Sequence, residues 1–410
     1  METSKNSKAR KLLNPFKGDK AIWFIFTLLA IISLVSVYSS IGFSAIVDGK
    51  TPERAFFKHF LFVLVTYVGV ILLSNFDYRK FSRYSLLGYV ISLVLLVMVL
   101  FFGNEDVAAG SGENRWLYLP LIGRFQPSEL AKVVTVVFLA RLLVQENDNL
   151  KDRTVFRNIL LTVLAVVALI VKDNLSTAAI IFMVCYAMMR LAPVNVHHWR
   201  RALLGLILLG VLAIFLGTKL NIPYLARSET WTNRVDRWLN FNPDNTSQES
   251  MARMAVASGK LFGVGVGSTI HARLMTQADN DLIYAIIVEE TGMAGGIVVF
   301  VLYAILYLRC IKIAWKCKGA FGRLMVAGLG TLIFLQAAIH ISVSVGAMPV
   351  TGQTLPFISS GGTSYLCMGI ALGIIQSVAY DVNLNDPEHA KTGRKKKAVE
   401  AEVASDVPNP

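Results

Sequence analysis

Long apolar runs separated by short polar joints set the pattern of this chain. Runs rich in Leu, Ile, Val, Phe and Ala fall at approximately 21–44, 57–76, 84–102, 128–145, 158–172, 174–191, 202–219, 282–308, 324–345 and 364–380. Each is close to the roughly 20 residues that an α-helix needs to cross a bilayer. The pattern therefore predicts an all-α polytopic membrane protein of ten spanning helices. One joint breaks the rhythm: between the seventh and eighth runs, Lys219 to Asp281 is mostly polar. The chain divides into a basic N-terminal segment at 1–20, a membrane domain at 21–381 with its large loop at 219–281, and a charged, Pro-containing tail at 382–410.

Composition agrees, with 54% hydrophobic and 16% charged residues, outside the range of soluble domains. The net charge of +13 raises nucleic acid as a partner, but the basic residues sort by side. They gather before the first run (Lys5, Lys8, Arg10, Lys11, Lys17, Lys20) and then in every second joint, as at Arg79, Lys80 and Arg83, Lys151, Arg153 and Arg157, and Arg200 and Arg201. Lys312, Lys316, Lys318 and Arg323 follow the eighth run, and Lys395, Lys396 and Lys397 lie in the tail. By the positive-inside rule both termini are cytoplasmic, loop 219–281 is extracytoplasmic, and no nucleic-acid role is needed. Cys185 and Cys367 fall within runs, and Cys310 and Cys317 near the inner side, so no disulfide framework is expected. The first run is too long for a cleaved signal's apolar core and is read as retained.

Chemistry collects in the outer joints. Gln126-Pro127-Ser128-Glu129 reads as a helix start, and Glu129 and Lys132, three apart, can face each other. The turn Lys172-Asp173-Asn174-Leu175-Ser176-Thr177 offers either a cap or a polar surface. In the large loop, Arg234 and Arg237 share a face if helical and suit a diphosphate; an interfacial helix with Trp231 and Trp238 is the equal alternative. Gly259, Gly263, Gly265 and Gly267 follow no strand, so a nucleotide loop is excluded by context; they suit backbone lying flat against backbone. Asp281, with Asp279 beside it, directly precedes the eighth run and is either a general base or that helix's N-cap. Glu289 and Glu290 lie about two turns deeper, where an ionisable residue is a functional candidate by default, with a structural pair or an ion path as the other readings. The last outer joint, 345–364, is dense in Gly, Pro, Ser and Thr and forms a defined turn. Cations around an outer-edge acid suit an amphiphilic anion whose tail stays in lipid. No metal site and no resident cofactor are assigned; a divalent cation is left open.

These motifs resemble the SEDS family (shape, elongation, division and sporulation) of ten-span peptidoglycan glycosyltransferases. The resemblance covers about residues 15–382. It rests on Asn114-Arg115-Trp116 with Gln126-Pro127-Ser128-Glu129, on the stretch Ser258 to Ser268, on Asp281 with Glu289-Glu290-Thr291-Gly292, and on the signature Met348 to Ser364. It favours the FtsW branch over the RodA branch. Three departures stand out: Asp279 replaces the family histidine of His-x-Asp, Asn174 replaces an aspartate, and His340-Ile341-Ser342 replaces Asn-x-Gly.

The resemblance implies inverting transfer that joins lipid II into β-1,4-linked glycan outside the cytoplasmic membrane. Asp281 would act as base and undecaprenyl diphosphate would leave. Implied substrate-binding residues are Arg115, Trp116, Gln126, Ser128, Glu129, Lys132, Arg234, Arg237, Lys260, Thr351, Ser359, Gly361, Gly362 and Ser364, supported by Asp279, Glu289, Glu290 and Lys172. Implied partners are lipid II, the undecaprenyl diphosphate-linked glycan, a class B penicillin-binding transpeptidase, other division proteins and membrane lipids, with a septal location in the bacterial inner membrane. A lipid II flippase, a RodA-type elongation polymerase and a silent scaffold for the transpeptidase are the alternatives.

Overall fold

The computed structural model of the protein describes residues 16–47, 51–105, 114–119, 123–171, 174–193, 200, 204, 228–240, 248–269, 271 and 278–384. In chain order these form α1 (Lys20–Val47), α2 (Pro52–Ser74), α3 (Arg79–Phe102), the strands β1 (Asn104–Glu105), β2 (Asn114–Leu119) and β3 (Gly123–Phe125), then α4 (Pro127–Gln145), α5 (Arg153–Val171) and α6 (Leu175–Leu191). The second half gives α7 (Ser228–Leu239), α8 (Gln248–Ser258), α9 (Ala278–Asp281), α10 (Ile283–Lys316), α11 (Ala320–Ser344) and α12 (Gly362–Leu384).

Helices stand where nine of the ten runs predict them; the run at 202–219 lies outside the described residues, apart from Leu204. Seven of the helices are long and apolar enough to cross a membrane: the first 21 residues of α1, with α2, α3, α5, α10, α11 and α12. Helix α6 is apolar and shorter. Helix α4 has a spanning length but carries Glu129, Lys132 and Arg141, and it takes the centre of the bundle, packed against α3, α5, α6, α11 and α12.

Burial orders the helices from inside to outside. Residues of α4, α11 and α12 are mostly buried, whereas α2, α3 and α5 keep broad apolar faces exposed. On α3 those exposed residues include Leu86, Leu87, Val90, Val94, Phe101 and Phe102. An uncovered apolar surface of that extent belongs to a membrane-embedded protein.

Two expectations change. The joint between α3 and α4 contains a three-stranded antiparallel sheet, β1-β2-β3, with Leu117 opposite Phe125 and Leu119 opposite Gly123. Its strands are too short for an alternating pattern to stand out. The eighth run is broken: Gly292 has φ 76° and ψ −179°, so α10 is two helical pieces joined at a kink.

At one end of the bundle, Asp19 N–H donates to Gln376 Oε1 at 2.8 Å, Arg309 pairs with Asp19 at 3.3 Å, and Asn383 Nδ2 donates to Gly18 O. These bonds fasten the chain just before α1 to the far ends of α10 and α12. The sheet, α7, α8, α9 and the joint before α12 gather at the opposite end.

Candidate active site

Asp281 closes the single turn α9, and Leu282, at φ −134° and ψ 19°, occupies the position before α10 with no side-chain cap bond. Leu282 thus takes the position that the capping reading gave to Asp281, and a turn of helix ends at Asp281 before the next begins. The half-buried side chain of Asp281 lies against the 345–364 joint: a Cβ placed on Gly352 would stand 3.5 Å from Asp281 Oδ2. Gly352 has φ 63°, a left-handed turn that favours glycine. The same joint holds the peptide before Asp281, because Ser359 Oγ donates to Asn280 O at 2.7 Å and accepts from Leu355 N–H at 2.8 Å. Thr351 and Gly361 stand in this loop, Gly361 close to Asn280 Oδ1.

Behind the loop runs a buried polar chain. Lys132 Nζ, with no exposed side-chain surface, contacts Glu129 Oε1 at 2.7 Å and donates to Gln336 Oε1 at 2.7 Å. Gln336 Nε2 then donates to Thr354 O at 3.0 Å, and Thr354 Oγ1 shares a 2.6 Å bond with Ser364 Oγ. The pairing of Glu129 with Lys132 is as their spacing predicts. Gln336 and Thr354 were not foreseen, since a neutral amide in an apolar run gives no titration signal.

Asn174 caps α6, its Oδ1 accepting from Thr177 N–H at 3.0 Å. The same oxygen accepts from Gln353 Nε2 at 3.3 Å, and His340 Nδ1 donates to Gln353 O at 2.7 Å. Two of the sequence's departures thus meet on one residue beside Gly352. A small pocket next to Asn174 is walled by Leu96, Val99, Leu169 and Ile170 and rimmed by Arg115, Gln126 and Ser128. Trp116 follows Arg115 on β2 and is half-buried.

The two loop arginines lie on α7, and their helical spacing is as expected. Arg234 Nη1 donates to Val350 O at 3.3 Å, and the neighbouring Trp238 Nε1 donates to Gly346 O at 2.8 Å, so α7 packs beside the joint that holds Gly352. Burial raises the pKa of Glu249 on α8, while Arg237, Arg234 and Arg253 act to lower it. The α7 cations are thus partly balanced by a carboxylate that the sequence did not single out.

Glu289 and Glu290 serve the break in α10. Gly292 leaves their carbonyls free of helical partners, and Val264 N–H and Gly265 N–H bond them at 2.9 and 3.1 Å. In return Met293 N–H and Ala294 N–H donate to Lys260 O and Leu261 O at 2.9 and 3.2 Å. Glu290 Oε1 accepts from Gly267 N–H, and Glu289 Oε1 contacts His271 Nδ1 at 2.8 Å. The glycines lie flat against this backbone: a Cβ on Gly263 would fall 2.0 Å from Glu290 O. The Lys260 side chain is exposed. Lys172 lies outside the described residues; Asp279 is described only as a backbone position in α9.

The chain is similar to stage V sporulation protein E of Bacillus subtilis (strain 168), 32% identical over 374 residues that cover 88% of this chain and 96% of that protein. It is 28% identical over 377 residues to the probable peptidoglycan glycosyltransferase FtsW of Enterococcus hirae, covering 89% and 93%. Among solved structures, a chain of a peptidoglycan synthase complex that coordinates polymerization and crosslinking matches with a TM-score of 0.70 at 24% identity, covering 89% of this chain and 98% of that one. The rod shape determining protein RodA of Thermus thermophilus matches with a TM-score of 0.63 at 24% identity, covering 89% and 97%. A family model described as cell cycle protein, of FtsW, RodA and SpoVE, matches residues 19–384. Because that match runs from the start of α1 to the end of α12, the chain belongs to the SEDS family of cell cycle proteins.

Proposed function

We propose that the protein is a peptidoglycan glycosyltransferase that polymerises lipid II at the outer face of the bacterial cytoplasmic membrane. The observation that carries this reading is the seat of Asp281: a carboxylate against Gly352, on a peptide held by Ser359, at the bundle end where Arg115, Arg234 and Arg237 also lie. Asp281 takes the proton of the acceptor sugar's 4-hydroxyl as that oxygen attacks the anomeric carbon of the lipid-linked donor. The C–O bond to phosphate breaks with inversion, and undecaprenyl diphosphate departs with the electron pair. A positioned base contributes about 10²–10⁴ in rate. The guanidinium groups offset charge on the leaving diphosphate, and Lys132, paired with Glu129, anchors the loop from behind through Gln336.

In this reading Trp116, Gln126, Ser128, Thr351, Gly361, Gly362 and Ser364 shape the sugar and phosphate sites, and Lys260 lies at their margin. The protein works with a class B transpeptidase at the division septum. Its relatives named FtsW and the synthase complex among its structural neighbours support that assignment.

The test is purified protein with its transpeptidase and fluorescent lipid II, comparing wild type with Asp281→Ala and Asp281→Asn. Glycan polymer is expected from wild type alone, with a loss of at least about 10² in rate for both variants. Polymer formed equally by Asp281→Asn removes the base. Movement of lipid II across liposomes without polymer assigns transport instead.

A further inference from the structure

The loop that seats Asp281 contains a bulky residue in a conformation such residues avoid. Phe357 has φ 63° and is 1% exposed. A non-glycine side chain in the left-handed region persists only where its surroundings over-determine it, and both flanking carbonyls are held. Tyr303 OH, from α10, donates to Pro356 O. Ser33 Oγ, from α1, donates to Ile358 O at 2.8 Å. Ser33 has a single hydroxyl proton, so its 2.8 Å contact with His59 Nε2 on α2 must be one it accepts, which fixes His59 as the Nε2–H tautomer. The Phe357 ring packs edge-on against Phe26 and Tyr365, at centroid distances of 5.3 and 6.2 Å. Helices α1, α10 and α12 thus converge on the segment 356–358, with α2 behind them through His59 on Ser33.

Ser359, two residues beyond Phe357, gives the arrangement a purpose. Its Oγ bonds the carbonyl of Asn280, the peptide that leads into Asp281. Rotation at Phe357 toward an ordinary backbone conformation would swing Ser359 away and release that carbonyl.

We propose that Ser33, His59 and Tyr303 are positioning residues for Asp281. They hold Phe357 left-handed, and through Ser359 they fix the direction of the 280–281 peptide and of the carboxylate it carries. This rests on the reading of Asp281 as the base. None of the three touches the reacting atoms.

The experiment measures kcat and KM for fluorescent lipid II with the full chain and its transpeptidase, per folded enzyme counted by size exclusion. Ser33→Ala and Tyr303→Phe are expected to lower kcat about tenfold or more with KM unchanged, since misplacement of a catalytic group acts on the chemical step. Ser33→Thr keeps the hydroxyl and His59→Gln keeps a donor near Nε2, so both are expected to retain wild-type kcat. Tyr303→Phe acts from the other side of the loop and serves if Ser33→Ala does not fold. Wild-type kcat in both Ser33→Ala and Tyr303→Phe overturns the proposal. So does a loss that Ser33→Thr and His59→Gln share equally, which marks packing alone. Asp281→Asn is run in parallel: if it is inactive while Ser33→Ala and Tyr303→Phe are normal, only this inference fails, and if it is active the base reading itself fails.

Discussion

Lys132 is an ammonium with no exposed side-chain surface, at the centre of a membrane bundle, and Glu129 is what makes that tolerable. An ion pair away from water offsets the cost of burying either charge only while both partners are present. Lys132→Met, which leaves Glu129 unpaired, is expected to lower stability by about 3–5 kcal/mol. Adding Glu129→Gln should recover most of that loss. Thermal midpoints in detergent measure both, and a double variant as unstable as the single one would remove the pair as the cause. Glu249 on α8 gives a pH signature outside the spans. Burial holds its pKa above the ordinary value despite Arg237, Arg234 and Arg253. A carboxyl that binds its proton more tightly when folded favours folding at low pH, and this contribution is lost as pH rises through the folded pKa. Glu249→Gln is accordingly expected to raise the thermal midpoint near neutral pH and leave it unchanged in acid; a lower midpoint near neutral pH would mean that the arginines outweigh burial. The charged members of the site were visible in the sequence because charge inside an apolar run stands out. Gln336 and Gln353 were not, because their partners lie far along the chain and nothing local marks such an amide.

At the scale of elements, the break in α10 and the stretch 259–267 form one unit. Neither would be stable alone in a membrane, where an unpaired backbone group costs several kcal/mol. Joined, they satisfy each other: four amide-to-carbonyl bonds link Lys260, Leu261, Val264 and Gly265 with Glu289, Glu290, Met293 and Ala294. Two glycines separate conformation from close approach. Gly263 and Gly267 have nearly the same φ, 80° and 78°, but a Cβ on Gly263 would strike Glu290 O whereas Gly267 has nothing within 4 Å. Gly267→Ala is expected to lower stability by about 1–2 kcal/mol, the left-handed cost alone. Gly263→Ala should lower it clearly further and free the α10 kink, seen as faster hydrogen exchange at Val264 and Gly265. Equal losses would rule out the backbone contact. The sequence shows why apolar runs predicted helices so well and this break so poorly. A spanning helix announces itself in about 20 consecutive residues, whereas the kink at Gly292 depends on the amides of Val264 and Gly265, far upstream in the chain, which no local pattern records. The short strands beside α4 escaped as well, since two to six residues are too few for an alternating pattern to stand out.

Across the whole molecule, the two ends of the bundle differ in kind. One is tied shut by Asp19, Arg309, Gln376 and Asn383; the other bears α7, α8, the sheet and the Asp281 loop. The proposed reaction needs the second end outside, because the glycan it builds lies there, and the alternation of Lys and Arg between joints points the same way. All four cysteines are buried, so a thiol reagent has little wild-type background and a single introduced cysteine reports its own side. Leu239 at the end of α7 is 64% exposed, and Trp315 near the far end of α10 is 83% exposed; neither touches the site. A membrane-impermeant maleimide should label Leu239→Cys in intact cells and Trp315→Cys only after the membrane is opened. The reverse order would place Asp281 in the cytoplasm, where its loop faces lipid II before export, and the polymerase reading would fail even if Asp281 proved essential. Labelling of both positions in intact cells would show the reagent leaking across, which a permeant-reagent control on Trp315→Cys identifies. The orientation is thus decided without an activity assay, by two exposed residues and the burial of four thiols.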